Sequence, residues 1–314
     1  MRVRSFARGE WWALLAALSY LGQGLALRAA VEQVDAIFSA MITAVPTALF
    51  ALIAVMCSRA RREHFSVESP SFIGWRNLWL LAGVAVLSYG VGNTLWVLAF
   101  GYGGVTLTVP ATQSTAIWGA LLGLIILKEQ LNRSMIWGLG IFTAGLVLLA
   151  LGRSLVDAPG EGWAWAIVFG VTAALCWTVL AAVSRFIMLR GVDRFSVLLF
   201  SAFVGQASLH ILLLVRGYPG VEILRSADFL YLLLAGLCNV SAQVSLTTAL
   251  SLTEVASVNT ITASGSTLAP ILGFAIFKDP LNLMMILAAV CVLIGAVAVQ
   301  RGRTSHLGKI AAPG

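Results

Sequence analysis

The sequence predicts an all-α membrane protein, ten transmembrane helices arranged as two inverted five-helix repeats. Three observations predict it. Of 314 residues, 60% are apolar and 11% charged, with a mean hydropathy of +0.94; an ordinary soluble domain carries about 25% charged residues. Apolar runs long enough to cross a bilayer, roughly 20–25 residues each, recur ten times with short polar joints between them. A polar string also returns at a fixed offset of 150 residues: 127–153 reads LKEQLNRSMIWGLGIFTAGLVLLALGR and 277–303 reads FKDPLNLMMILAAVCVLIGAVAVQRGR, identical at nine of 27 positions without a gap.

The candidate spans are 11–30, 36–58, 77–100, 104–127, 133–153, 162–184, 195–216, 228–250, 254–277 and 280–300. Arg2, Arg4 and Arg8 before the first run, with Ala26 to Ala30 after it, imitate a secretory signal; an uncleaved first span is the reading that keeps the two halves equal. The joints Gly101-Tyr102-Gly103-Gly104, 128–132, Ser251-Leu252-Thr253 and 278–280 are too short for anything but antiparallel neighbours. Gly9-Glu10 before span one echoes Gly160-Glu161 before span six, and Val34-Asp35 echoes Val192-Asp193. Five spans per half is an odd number, so the second half enters the membrane upside down. The domains are therefore 1–153, 154–303 and a cytoplasmic tail, 304–314.

The net charge of +7 sets orientation rather than a nucleic-acid partner, because a chain this apolar has no surface for a basic groove. With the N-terminus inside, 15 of the 20 Lys and Arg residues fall on the cytoplasmic side; Arg28, Arg153, Arg216, Arg225 and Lys278 are the five opposite. That bias puts both termini in the cytoplasm. Trp11, Trp12, Trp75, Trp79, Trp163 and Trp165 sit near span ends, where indoles favour the headgroup layer. Cys57, Cys176, Cys238 and Cys291 lie in or beside apolar runs with no CxxC or Cys/His spacing, so no disulfide framework, metal or cofactor is expected.

Polar side chains in mid-span avoid lipid and mark the bundle interior or a wet cavity. On the helical period they form stripes: Tyr20 and Gln23 in span one; Tyr89, Asn93 and Trp96 in span three; Pro110, Gln113, Ser114 and Trp118 in span four; Trp177 in span six; Asn239 and Gln243 in span eight; Asn259, Thr262, Ser266 and Pro270 in span nine. The 150-residue offset sets Asn239 and Gln243 against Tyr89 and Asn93. The fourteen polar and aromatic residues are the expected substrate site and the two prolines, which free a carbonyl one turn earlier, are hinge or ligand-contact positions. A second reading stays open for Asn93, Gln113, Asn239 and Gln243 as interhelical hydrogen-bonding residues, and for the hydroxyls as packing groups. His210 is the ionisable group well inside a span; structural hydrogen bonding is its expected role. Gly119-x-x-x-Gly123 and Gly140-x-x-x-Ala144 read as intramolecular packing, hence a monomer rather than a dimer. No buried Asp pair and no Ser partner for His210 support an intramembrane protease, so an enzyme is not expected.

The two hairpins LGLIILKEQLN and LGFAIFKDPLN, with Pro110, Glu129, Leu131, Gly138, Gly140 and Gly145 in one half and Pro270, Asp279, Leu281 and Gly295 in the other, resemble the drug/metabolite transporter superfamily, and within it the EamA-type ten-span exporters. The resemblance covers about 10–303. It implies a secondary transporter of the inner (plasma) membrane, with helices one, three, four, six, eight and nine around a central cavity. Similarity to bacterial aromatic and neutral amino-acid exporters, together with the uncharged aromatic stripes, points to export of a small neutral or zwitterionic metabolite, an amino acid first. The alternative is efflux of hydrophobic drugs or cations, against which the lack of an acidic residue in span one counts.

A reporter fused at Gly314 is expected to read cytoplasmic, and a cysteine replacing Gly160 to be labelled by an impermeant reagent from outside. Periplasmic activity of the C-terminal fusion overturns the ten-span topology.

Overall fold

A computed structural model describes residues 8–30, 34–69, 71–127, 133–154, 163–217, 227–265, 268–277, 282–292, 294–295 and 298. The chain runs α1 (Arg8–Ala30), α2 (Ala36–Met56), a short α3 (Arg59–Glu63), α4 (Trp75–Ala85), a π-helical turn (Val86–Gly92), α5 (Asn93–Thr112), α6 (Thr115–Leu127), α7 (Arg133–Ser154), α8 (Trp163–Met188), α9 (Arg194–Arg216), α10 (Ala227–Leu252), α11 (Val255–Gly265), α12 (Ala269–Phe277) and α13 (Leu283–Val292). Among the described residues there is no strand. Among the described residues seven helices are long and apolar enough to cross a membrane, and they correspond to spans one, two, three and five to eight. Their outer faces are as apolar as their core: Ile53, Trp79, Trp137, Leu214 and Val215 are all more than 60% exposed, as a lipid-facing surface requires and a water-facing one does not.

The remaining three segments are shorter or broken, and local chemistry shows why for span four. Pro110 has no N–H to donate. The side chains that follow bond backward: Thr112 Oγ1 and Gln113 Nε2 both donate to the Val109 carbonyl (2.7 and 3.0 Å), and Ser114 Oγ donates to Ala111 O (2.8 Å). Such back-bonding competes with the helix ladder. The helix stops at Thr112, turns at Gln113 and Ser114, and restarts at Thr115. In span nine the described residues form α11 and α12, with 266–267 outside them.

The joint expected at Gly101 to Gly104 needs correction, since helical bonding runs through it in α5. Tyr102 stacks edge-on against Phe169 (5.8 Å), and Thr108 and Ala111 abut Gly170, so α5 meets α8 on both sides of the glycine cluster.

The Val-Asp echo is a pair of helix starts. Asp35 caps α2, accepting from the Ile37 and Phe38 amides (2.9 and 3.1 Å), and Asp193 caps α9, accepting from the Phe195 and Ser196 amides (2.9 and 3.3 Å). The two helices pack together, and each cap also meets a cation near the other helix's far end: Asp35 with Arg216, the last residue of α9, at 3.7 Å, and Asp193 with Arg61 of α3, just beyond the end of α2, at 3.4 Å. The contact is reciprocal.

A second reciprocal contact joins α7 to the segment around α13. A Cβ on Gly145 would lie 2.8 Å from the Val292 nitrogen and 3.0 Å from Ala288 O; one on Gly295 would lie 2.5 Å from the Phe142 nitrogen and 2.7 Å from Gly138 O. Exchanging residues at the 150-residue offset turns the first pair of contacts into the second. No side chain fits at either glycine. Gly145→Leu and Gly295→Leu are each expected to destabilise the protein by about 1–3 kcal/mol through overpacking, seen as a lower melting temperature. Gly140→Leu, with open space around it, leaves that temperature unchanged.

Candidate functional site

Between the core clusters around Leu27, Phe38 and Phe100 and around Ala13, Leu250 and Val258 lies a cavity of about 160 Å³. It is lined from α1, the π-helical turn, α5, the α5–α6 break, α8, α9, α10 and α11. Of the residues expected from the sequence, Tyr20, Gln23, Tyr89, Asn93, Trp96, Gln113, Trp177, Asn239, Gln243, Asn259 and Thr262 line it. Ser114 and Trp118 do not, against expectation: the Ser114 hydroxyl is engaged on Ala111, and Trp118 lies beyond the break. Ser266 lies outside the described residues. Pro110 sits two residues before the end of α5, and Pro270 is the second residue of α12.

One wall is aromatic. Trp96 and Trp177 meet edge to face with ring centres 5.4 Å apart, and Trp96 continues onto Phe100 at 5.2 Å. Trp177 Nε1 donates to Asn93 Oδ1 at 2.8 Å, fixing its indole. Gly92 makes room for it, since a Cβ there would lie 3.1 Å from that nitrogen. Tyr89, 2% exposed, reaches the cavity because Gly205 on α9 has no side chain; a Cβ there would be 2.4 Å from the Tyr89 ring.

The other polar groups divide by what they bond. Asn239 Nδ2 donates to the Thr43 carbonyl and to Thr47 Oγ1, both at 3.1 Å, beside Pro46, whose ring presses on Gly236. Asn259 Nδ2 donates to Thr115 O at 3.3 Å, tying α11 to the start of α6 over Gly119. Of the four amides for which the sequence left interhelical bonding open, Asn93 and Asn239 bond between helices and Gln113 bonds locally to Val109 O; Asn259 bonds between helices as well. Gln23 and Gln243 make no hydrogen bond among the described residues.

Five cavity positions of the first half pair at the 150-residue offset with five of the second: Tyr89 with Asn239, Asn93 with Gln243, Trp96 with Leu246, Val109 with Asn259, and Thr112 with Thr262. Every described lining residue is uncharged. The sequence missed the contribution of α9, through Val197, Leu198 and Ser201, and that of Ser88, Thr178, Ser184 and Thr247. Small hydroxyls carry too weak a signal to mark a face, and two of the α9 residues are simply apolar. His210 lies outside the lining; its Nδ1–H donates to Gln206 O one turn back, at 2.9 Å.

The profile of the EamA-like transporter family matches residues 7–151 and 164–300. The chain belongs to the EamA-like transporter family. It is accordingly a multi-pass membrane transporter of small molecules. A solved crystal structure superposes on this EamA-like transporter with a TM-score of 0.71 at 14% identity, over 94% of this chain and 98% of the other. At that identity the likeness is one of fold. No curated relative matches the chain.

Asn93→Leu removes the acceptor of a buried indole N–H and is expected to cost about 1–3 kcal/mol. In a double-mutant cycle on thermal stability, Trp177→Phe adds little further loss once Asn93 is gone. Additive losses overturn the assigned bond.

Proposed function

We propose that this EamA-like transporter exports a small neutral or zwitterionic metabolite, amino acids being the substrate class, by alternating access of a central cavity at the inner (plasma) membrane. The observation that carries the reading is the uncharged lining, with indoles at one wall and amides at another. A solute with net charge would lose its hydration there without replacement. A zwitterion or neutral solute with an apolar or aromatic side chain suits both walls. Hydrophobic cations are less well served, because no carboxylate lines the cavity among the described residues.

The ten-span topology, cytoplasmic termini and monomeric state belong to the same proposal. Supporting it are the separate family matches to 7–151 and 164–300, the two reciprocal contacts, and the helix interrupted beside the cavity at Gln113 and Ser114. Inverted halves with interrupted helices at a midplane site are the usual architecture of secondary carriers. Proton coupling needs a group that changes charge near neutral pH where protonation alters solute affinity; no Asp, Glu, His, Lys or Arg lines the cavity among the described residues, and His210 is bonded within its own helix. Transport therefore runs as uniport or exchange on the solute's own gradient, and export follows from a high cytoplasmic concentration.

In proteoliposomes, counterflow of a radiolabelled neutral amino acid is expected without a pH gradient, and His210→Ala retains it. Uphill accumulation driven by an imposed proton gradient, and lost in His210→Ala, overturns the mechanism. Absence of flux for every neutral amino acid overturns the substrate class.

A further inference from the structure

Two of the six carboxamides at the cavity are unaccounted for. Asn93, Gln113, Asn239 and Asn259 each hold an identified partner, whereas Gln23 and Gln243 hold none among the described residues. Gln23 is 4% exposed, its Oε1 is fully buried without a hydrogen bond, and its side chain lines the cavity. A buried amide that bonds nothing destabilises the protein that carries it, and packing supplies no reason for one at Gln23. Gln243 is half-buried, and its side chain also lines the cavity.

The register of α1 against α10 brings these two amides toward each other. Ser19 and Ser241 share a 2.8 Å hydrogen bond, Gly22 lies against Cys238 Sγ, and Gly9 against Leu252 and Thr253. Position rises on one helix as it falls on the other, so the pair is antiparallel, with Gln23 level with 237 and Gln243 level with Ala17. Six residues of helix separate the two levels, about 9 Å. Side chains lean toward the N-terminus of their own helix, which in an antiparallel pair tilts Gln23 and Gln243 toward one another, near the level of Tyr20.

We infer that Gln23 and Gln243 act as one paired subsite that reads the polar end of the transported solute, a headgroup carrying hydrogen-bond donors and acceptors together with no net charge. Each carboxamide offers two N–H donors and a carbonyl acceptor in one plane. One amide from each half thus meets an α-amino carboxylate, accepting from its ammonium and donating to its carboxylate, while the Trp96–Trp177 wall takes the apolar end. Naming an amino acid as the solute rests on the proposed function; the pairing of the amides rests on the cavity and the α1–α10 register.

The test uses the purified full-length transporter and three probes that share a phenyl ring: L-phenylalanine, 2-phenylethylamine and 3-phenylpropanoate. Titration calorimetry is expected to show L-phenylalanine binding at least roughly tenfold more tightly than either one-ended analogue, the scale of one hydrogen bond to a charged group. Gln23→Met and Gln243→Met each erase most of that preference. Neither substitution removes a hydrogen bond from the unliganded protein, so its melting temperature stays within about 2 °C or rises, unlike that of Asn93→Leu. A clear fall in that temperature shows the amides to be structural and overturns the inference, as does unaltered discrimination in the variants or no binding of the three probes. Flux separates this from the transport reading. Tight, discriminating binding without counterflow leaves the subsite standing and removes the transport claim. Counterflow with an unchanged KM in both variants removes the subsite alone.

Discussion

A bilayer offers no hydrogen bonds, and that constraint orders everything else in this protein. Each polar group buried in the helices must find a partner in the chain or face an internal space. Most find one. Hydroxyls of Thr43, Thr94, Thr143, Thr178 and Thr248 bond back to carbonyls of their own helix. The amides of Gln206 and Asn239 take the carbonyls of Met41 and Thr43, both just before Pro46. Polar groups that remain without partners inside the cavity are therefore informative in a way that exposed polar groups of a soluble protein are not.

The same constraint explains how helices hold together without a hydrophobic force between them. Lipid tails are as apolar as leucine, so association depends on close approach and on specific bonds. Gly145 and Gly295 supply close approach at one contact. Gly92, Gly119 and Gly205 supply it around the cavity, where each admits a lining side chain, Trp177, Asn259 or Tyr89, that any larger residue would displace. Arg185 adds a specific bond, donating to the carbonyls of Leu250 and Thr253 and so fastening the end of α8 to the α10–α11 joint.

Much of this was legible in the sequence because lipid makes periodicity a clean signal. Tyr20, Gln23, Tyr89, Asn93, Trp96, Asn239 and Gln243 stand out as polar or amphipathic side chains at helical spacing in otherwise apolar runs, and they line the cavity. Trp118 is not among the lining residues. Counting along an unbroken span four places it on the stripe of Pro110 and Gln113, but the turn at Gln113 and Ser114 interrupts that helix. The Asn93–Trp177 bond joins residues 84 positions apart, and no local pattern encodes it. The glycine cluster at Gly101 to Gly104 reads as a joint, and nothing in it signals that helical bonding persists through it.

The paired cavity positions are related in place but only partly in chemistry: Asn93 answers Gln243 and Thr112 answers Thr262, whereas Tyr89 answers Asn239, Trp96 answers Leu246 and Val109 answers Asn259. A solute approaching from one side of the membrane consequently meets a different sequence of groups from one approaching from the other. For a carrier with no second driving force, thermodynamics fixes the ratio of maximal rate to half-saturation at the same value in both directions. Unlike faces cannot alter that ratio, yet they permit the two quantities to differ together. Such a carrier can hold its solute tightly and turn over slowly on one side while binding weakly and running fast on the other.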